Sequence, residues 1–274
     1  MRLTVRHATT YTYEPAPERC ALRLRLYPPA FDSQRVLRWS VSVNGQAVPA
    51  LLTTATGDRE SVWTCNGAGD TVAIVAEGEV ECSDTAGVVR GLRDNVRPNV
   101  YLRQTALTEA DDRIRKLAAG VEGAKPLDRA HALSAAVSNA LDYVSASTDS
   151  KTTAAQAVKQ GKGVCQDFAH VMIAAARASR VPARYVVGYM LAPETKLTET
   201  HAWAEVHVPD IGWVGFDPAN RICPTERYIR LGCGFDSADA APIRGNVAGA
   251  PRERLLASVD ISETAGQTQG QSQQ

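Results

Sequence analysis

With 274 residues, 44% of them hydrophobic and 22% charged, the chain carries enough apolar material to bury one large core or two modest ones. Thirty basic and thirty acidic side chains cancel, so no overall field draws it to nucleic acid or to an anionic membrane surface. No apolar run approaches the roughly 20 residues of a membrane span, and the opening "MRLTVRHATTYTYEP" lacks the continuous apolar stretch of about 7–15 residues that a secretory signal needs. The expectation is a cytoplasmic protein with neither a nucleic-acid nor a membrane partner. The six cysteines, at 20, 65, 82, 165, 223 and 233, are too dilute for a disulfide scaffold and form no C-x-x-C pair of the kind structural zinc sites use. Apart from Cys165 they are expected to be mostly buried free thiols.

Residues 1 to 82 read as a β-rich domain. Short alternating runs such as "ALRLRLYP", "LRWSVSVNG" and "TVAIVAEGEVEC" are bounded by Pro, Gly, Asn or Asp, as strands joined by turns require. In "ALRLRLYP", Leu22, Leu24 and Leu26 share one face and Arg23 and Arg25 the other, the pattern of a half-buried antiparallel strand. Residues 83 to 100 carry little periodicity and read as a connection. Helical spacing follows. "TEADDRIRKLAAGV" opens with Thr108 and an acid three residues later, a capping-box type start, and "LDRAHALSAAVSNALDYV" repeats apolar residues at helical intervals. "TTAAQAVKQG" and "GKGVCQDFAHVMIAAA" come next. After Arg180 a second β pattern begins with "ARYVVGYM", "HAWAEVHV" and "GWVGFDP". A helix running into several antiparallel strands predicts an α+β core over residues 101 to 261. "RERLLASVDI" reads as a last strand, and residues 262 to 274, polar and without large apolar side chains, as a disordered tail.

The chemistry concentrates at one cysteine. Gly161 and Gly163 allow a sharp turn, and Phe168, Val171, Met172 and Ala175 then recur at i, i+3, i+4 and i+7, marking a helix with Cys165 in its first turn. There the unpaired N–H groups and the macrodipole favour negative charge, which suits a thiolate nucleophile and any anion that develops beside it. Such a thiol needs a histidine partner held by a third group. His170, five residues on, points roughly 140° away around the helix. His7 lies in the N-terminal domain and His131 in an upstream helix. Strand alternation puts His201, Trp203, Glu205 and His207 of "HAWAEVHV" on one face, with His201 and His207 about 20 Å apart, so both cannot serve one thiol. His201 begins the strand, and a hairpin through Pro209, Asp210 and Gly212 returns Asp217 to that end. Cys165, His201 and Asp217 are therefore the candidate catalytic set. Asp167 and Glu205 are expected to hold Arg or backbone partners rather than to transfer protons.

"GVCQDFAHVMIAAARASRVPARYVVGYM" followed by "HAWAEVHVPDIGWVGFDPAN" resembles the transglutaminase-like superfamily, on the papain-like cysteine-enzyme fold. Residues 1 to 82 resemble the N-terminal domain of the bacterial members, and "DSADAAPIRGNVAG" resembles their C-terminal segment. The resemblance implies a catalytic triad of Cys165 as nucleophile, His201 as general base and then acid, and Asp217 as orienter; unlike the calcium-dependent animal enzymes, the chain shows no EF-hand-like loop or dense acid cluster, so no metal and no cofactor are expected. It also implies a peptide, amide or protein substrate. The triad serves equally a peptidase or amidase, where water resolves the acyl-enzyme, and a transglutaminase, where an amine does. Hydrolysis is favoured, because bacterial members of this size are generally described as cysteine proteases and no second-amine site is visible. A non-catalytic binding module on the same fold is the rival of another class. The animal enzymes' tryptophan upstream of the cysteine has no counterpart between residues 101 and 164. The Cys165 backbone N–H is one candidate oxyanion donor, and Tyr143 and Gln160 are weaker candidates for the second.

Overall fold

A computed structural model of the chain describes residues 1–67, 69–192, 200–249 and 252–264. The alternating N-terminal runs become β1 (Arg2–Glu14), β2 (Arg19–Tyr27), β3 (Gln34–Val43), β4 (Gln46–Ala47), β5 (Leu52–Thr53), β6 (Arg59–Asn66) and β7 (Thr71–Cys82). Asn44 and Gly45, both at positive φ, join β3 to β4 in the tight turn that an Asn-Gly pair favours. Leu22, Leu24 and Leu26 of β2 point into the same core as Val41, Val43, Val72 and Ile74. Each such side chain contributes about 1.5–3 kcal/mol on burial.

The middle of the chain is helical. After a single 3-10 turn at Pro98–Leu102 come α1 (Asp112–Ala119), α2 (Pro126–Ala140), β8 (Asp142–Tyr143), α3 (Ala154–Gln160), β9 (Lys162–Gly163) and α4 (Cys165–Ala178). The cap of α1 is Asp111, which accepts from the Ile114 N–H at 3.0 Å. Thr108, which the spacing nominates for that role, is instead buried and accepts from Arg177 at 2.8 Å. Acid follows acid in "EADD", and the aspartate nearer the helix takes the cap. α4 is buried from Asp167 to Arg177, on every side rather than along one stripe, which makes it the central helix of its layer.

β10 (Ala183–Met190), β11 (His201–Val208), β12 (Gly212–Phe216) and β13 (Tyr228–Gly234) form an antiparallel sheet in the order β12-β11-β10-β13, against which α4 packs. A short helix α5 (Ser237–Ala240) precedes β14 (Ile243–Ala248) and β15 (Arg252–Glu263). These last strands leave the core. β14 pairs with β2 and β15 with β1, giving facing sheets ordered β15-β1-β7-β3-β4 and β14-β2-β6-β5. The sequence reading assigns 243–261 to the core, yet these residues complete the sandwich of the other domain. Pairing between chain ends leaves no mark in local periodicity. Most of the expected tail, residues 265–274, lies outside the described residues. The molecule is thus an α+β, papain-like core joined to an antiparallel β-sandwich.

The two layers meet across buried charge. The Arg25 Nε donates to Glu60 at 2.7 Å, Arg230 Nη1 to Asp58 at 2.8 Å and Arg230 Nε to Glu205 at 3.0 Å. Arg184 donates to Glu205 at 2.6 Å and also pairs with Asp94. Arg25, which alternation puts on a polar face, is buried because β13 covers that face.

Candidate active site

The turn before α4 is fixed by side chains rather than by a conventional cap. Gly161 ends α3 in the left-handed region at φ 67°, and a Cβ on Gly163 would come within 2.6 Å of the Asp167 Cβ. Asp167 Oδ2 accepts from the Val164 N–H at 2.8 Å and from the Thr148 hydroxyl at 2.6 Å. That carboxylate locks the strand-to-helix turn, so Cys165 becomes the first helical residue. Its N–H belongs to the first turn, whose donors have no partner inside the helix. Burial, partly offset by these hydrogen bonds, pushes Asp167 above the usual carboxylate range. Asp167 thus holds backbone, and Glu205 holds arginines.

His201 starts β11, and the β11–β12 register brings Asp217 back to that end through a turn with Asp210 and Gly212 at positive φ. His201 Nε2 and Asp217 Oδ2 lie 2.6 Å apart. The same oxygen accepts from Asn220 Nδ2 at 2.7 Å and from the Tyr228 hydroxyl at 2.8 Å, while Oδ1 accepts the N–H groups of Ala219 and Asn220 at 3.1 and 3.2 Å. Burial alone would raise Asp217, but this set of donors, led by His201, holds it below the usual carboxylate range. Burial likewise disfavours a charged His201. The hydrogen bonds with Asp217 and with Cys165, and their charges, outweigh it and raise the imidazole to about 10. With Nε2 committed to Asp217, Nδ1 is the nitrogen left for the sulfur. Trp203 lies nearly parallel to the imidazole at 6.3 Å and Tyr228 edge-on at 5.8 Å. His201 and Asp217 are buried, whereas Cys165 is half-buried, so the open side of the cluster is its thiol.

Of the three predicted residues, His201 and Asp217 meet directly, and the thiol of Cys165 is the neighbour that, with Asp217, raises the imidazole. The other histidines lie elsewhere. His170 is fully buried, accepts from the Ser237 N–H at 3.1 Å, and is lowered by burial to about 4. His7 lies against the Tyr189 hydroxyl at 3.0 Å, His131 edge-on to Phe216, and His207 edge-on to Trp213 at the far end of β11. Tyr143 is exposed beside Phe168, and Gln160 is exposed at the end of α3. Sequence reasoning missed Asn220 and Tyr228. Asn220 carries a weak signal, an Asx residue three places after Asp217 in "DPAN"; Tyr228 carries none. Among the described residues no cluster of His, Cys, Asp and Glu has the makings of a metal site.

Comparison with known proteins places the chain. The Transglutaminase-like superfamily model matches residues 115–218, which include Cys165, His201 and Asp217. The Bacterial transglutaminase-like N-terminal region model matches residues 3–81. An uncharacterized protein of Mycobacterium leprae is 34% identical over 60% of this chain, and one of Mycobacterium tuberculosis is 40% identical over 38%. The chain spans 61% and 36% of the lengths of these two relatives. A solved structure from Cytophaga hutchinsonii, described as a "Putative Cysteine Protease", superimposes with a TM-score of 0.73 over 97% of this chain and 92% of its own at 23% identity, a likeness of fold. The two models follow one another along the chain, and the second spans the cysteine, histidine and aspartate: the chain carries a transglutaminase-like core region over residues 115–218, with the bacterial transglutaminase-like N-terminal region ahead of it.

Proposed function

We propose that the protein is a thiol-dependent hydrolase of amide or peptide bonds, with Cys165 as nucleophile, His201 as base and then acid, and Asp217 as orienter. The observation that carries this reading is the buried 2.6 Å contact between His201 and Asp217 beside a half-exposed sulfur at the first residue of α4. The Cys165 sulfur, its proton held by His201, attacks the carboxamide carbon. A C–S bond forms and the carbonyl π pair moves to oxygen, where the helix N-terminus stabilises it. Collapse breaks the C–N bond as the imidazolium gives its proton to the departing nitrogen. A thioester remains. Water then attacks it, His201 takes the water's proton, and the C–S bond breaks to release the acid and restore the thiol.

The test compares native protein with Cys165→Ala against an amide and peptide library, reading released ammonia or amine. Turnover that depends on Cys165 and His201 supports the hydrolase. Incorporation of a labelled amine into a glutamine-containing acceptor faster than hydrolysis would make the protein an acyltransferase. Absence of turnover, with iodoacetamide labelling at pH 6 no faster than a model thiol's and unchanged by His201→Ala, would leave a binding module.

A further inference from the structure

A cavity of about 720 Å³ lies at the end of α4 opposite Cys165. It falls within the roughly 300–1,000 Å³ typical of small-molecule sites. Two rulers separate it from the thiol. α4 runs its 14 residues from Cys165 to the wall at Ser179 and Val181, about 20 Å at the helical rise. β11 likewise runs from His201 at the candidate site to His207 and Val208 on the cavity's lining.

The lining has two characters. Ala118, Val121, Leu133, Val181 and Val208 supply an apolar floor. Arg97, Lys125, Arg129 and Arg180 stand around it, and no aspartate or glutamate is among the lining residues. In a chain of zero net charge that imbalance is local. Among the described residues none of these four side chains forms an ion pair, although carboxylates elsewhere are paired with arginine many times over. One of the four also occupies an unusual backbone position. α4 ends with the Val181 N–H on the Ala176 carbonyl at 2.9 Å, which puts the intervening Arg180 in the left-handed region at φ 58°. Glycine adopts that conformation without a Cβ penalty and is the common residue there; this chain has an arginine beside the cavity instead.

We infer that this cavity binds a small organic anion with an apolar body, its carboxylate or phosphate head held by Arg97, Lys125, Arg129 and Arg180 and its body laid on the Val121, Leu133 and Val208 floor. The floor excludes water from the body, and the cations supply charge-assisted hydrogen bonds at the rim. The site is separate from the thiol chemistry and stands whether or not that chemistry is hydrolytic.

Titration calorimetry on the full chain tests it with octanoate, octyl phosphate, 1-octanol and inorganic phosphate. One of the two amphiphilic anions is expected to bind with 1:1 stoichiometry, and which one identifies the head group. Octanol and inorganic phosphate, each lacking one half of the chemistry, should bind at least about tenfold more weakly. Arg180→Gly removes a cation while relieving the left-handed backbone, so it should unfold no earlier than wild type and bind about tenfold more weakly. Cys165→Ala should bind as wild type does. Equal binding of octanol and octanoate, no binding of either anion at millimolar concentration, unchanged affinity in Arg180→Gly, or loss of binding in Cys165→Ala would each overturn the assignment.

Discussion

One strand, β11, builds two buried polar clusters four residues apart on the same face, around His201 and around Glu205. Glu205 accepts from Arg184 and Arg230, whose Nη1 groups reach Asp94 and Asp58. Burial would raise Glu205, but the two arginines hold it below the usual carboxylate range. Arginine keeps its proton throughout the physiological range. That cluster is closed: every carboxylate meets a cation, and its role is to join two domains. Around His201 the carboxylate is equally buried and equally well held, yet the base in the middle can change charge and the last member is a half-exposed thiol. Buried charge alone therefore does not mark a reactive site. An open end and a base that can change charge do.

Removing the thiol separates the clusters most completely. Cys165→Ala should abolish turnover while changing stability by less than about 0.5 kcal/mol, as substitutions outside a packed core generally do. Substrate assays beside urea unfolding check it. Residual turnover near wild type would move the chemistry elsewhere.

pH separates the clusters next. His201 is raised from 6.5 in a model peptide to about 10, so the folded state holds a proton that the unfolded chain loses above 6.5. The stability this contributes is complete below 6.5 and declines as pH rises towards 10. Above about 9 the buried thiols Cys82 and Cys223, raised to about 12 and 11, add a slope of the same sign, and below about 7.5 the buried His7 and His170, both lowered to about 4, add one of the opposite sign, so the diagnostic window is roughly pH 7.5 to 8.5. Urea midpoints should fall across that window in wild type and stay flat in His201→Gln. The Glu205 cluster has no group that changes charge there, so a slope that persists in His201→Gln would contradict this account.

The converse substitution attacks the closed cluster. Asp58 is fully buried and holds Arg230 at 2.8 Å and the Cys233 N–H at 3.0 Å. Asp58→Ala takes one of two carboxylates from the buried Arg230 guanidinium and leaves it Glu205 alone, so the loss should lie at or below the lower end of the about 3–5 kcal/mol that breaking a buried pair costs. Denaturant titration measures the loss. At low temperature the folded fraction should still label at Cys165 with wild-type kinetics, because the His201 end of β11 keeps all its partners.

The two clusters also differ in how far the sequence displays them. Cys165 is legible because glycines and helical spacing fall within a few residues, His201 because alternation fixes its face, and Asp217 because a short hairpin must return it. Each step is local. The Glu205 cluster draws on Arg25, Asp58 and Glu60 from the other domain, and no periodicity announces that pairing. The pairing of β14 and β15 is hidden for the same reason: "RERLLASVDI" reads as a strand, but its partner, like that of β14, lies at the opposite end of the chain. Tyr228 belongs with these cases: its strand β13 is not among those that the alternation marks, and only the folded sheet aims its hydroxyl at Asp217.

Tyr228 provides the finest test, because Tyr228→Phe removes one oxygen and keeps the ring beside His201 and Trp203. The lost bond donates to a carboxylate, and at about 1.5–3 kcal/mol such a bond exceeds the mean for neutral pairs. Asp217 keeps His201, Asn220 and two backbone N–H groups. Only part of that energy should therefore reach the transition state, lowering kcat about tenfold with KM unchanged. The Tyr228 hydroxyl favours the ionised carboxylate, so losing it raises the Asp217 pKa and moves the acid limb of kcat to higher pH. A Tyr228 that only packed would leave that limb where it is, and Tyr228→Leu, which discards the ring as well, would then be the only damaging substitution at this position.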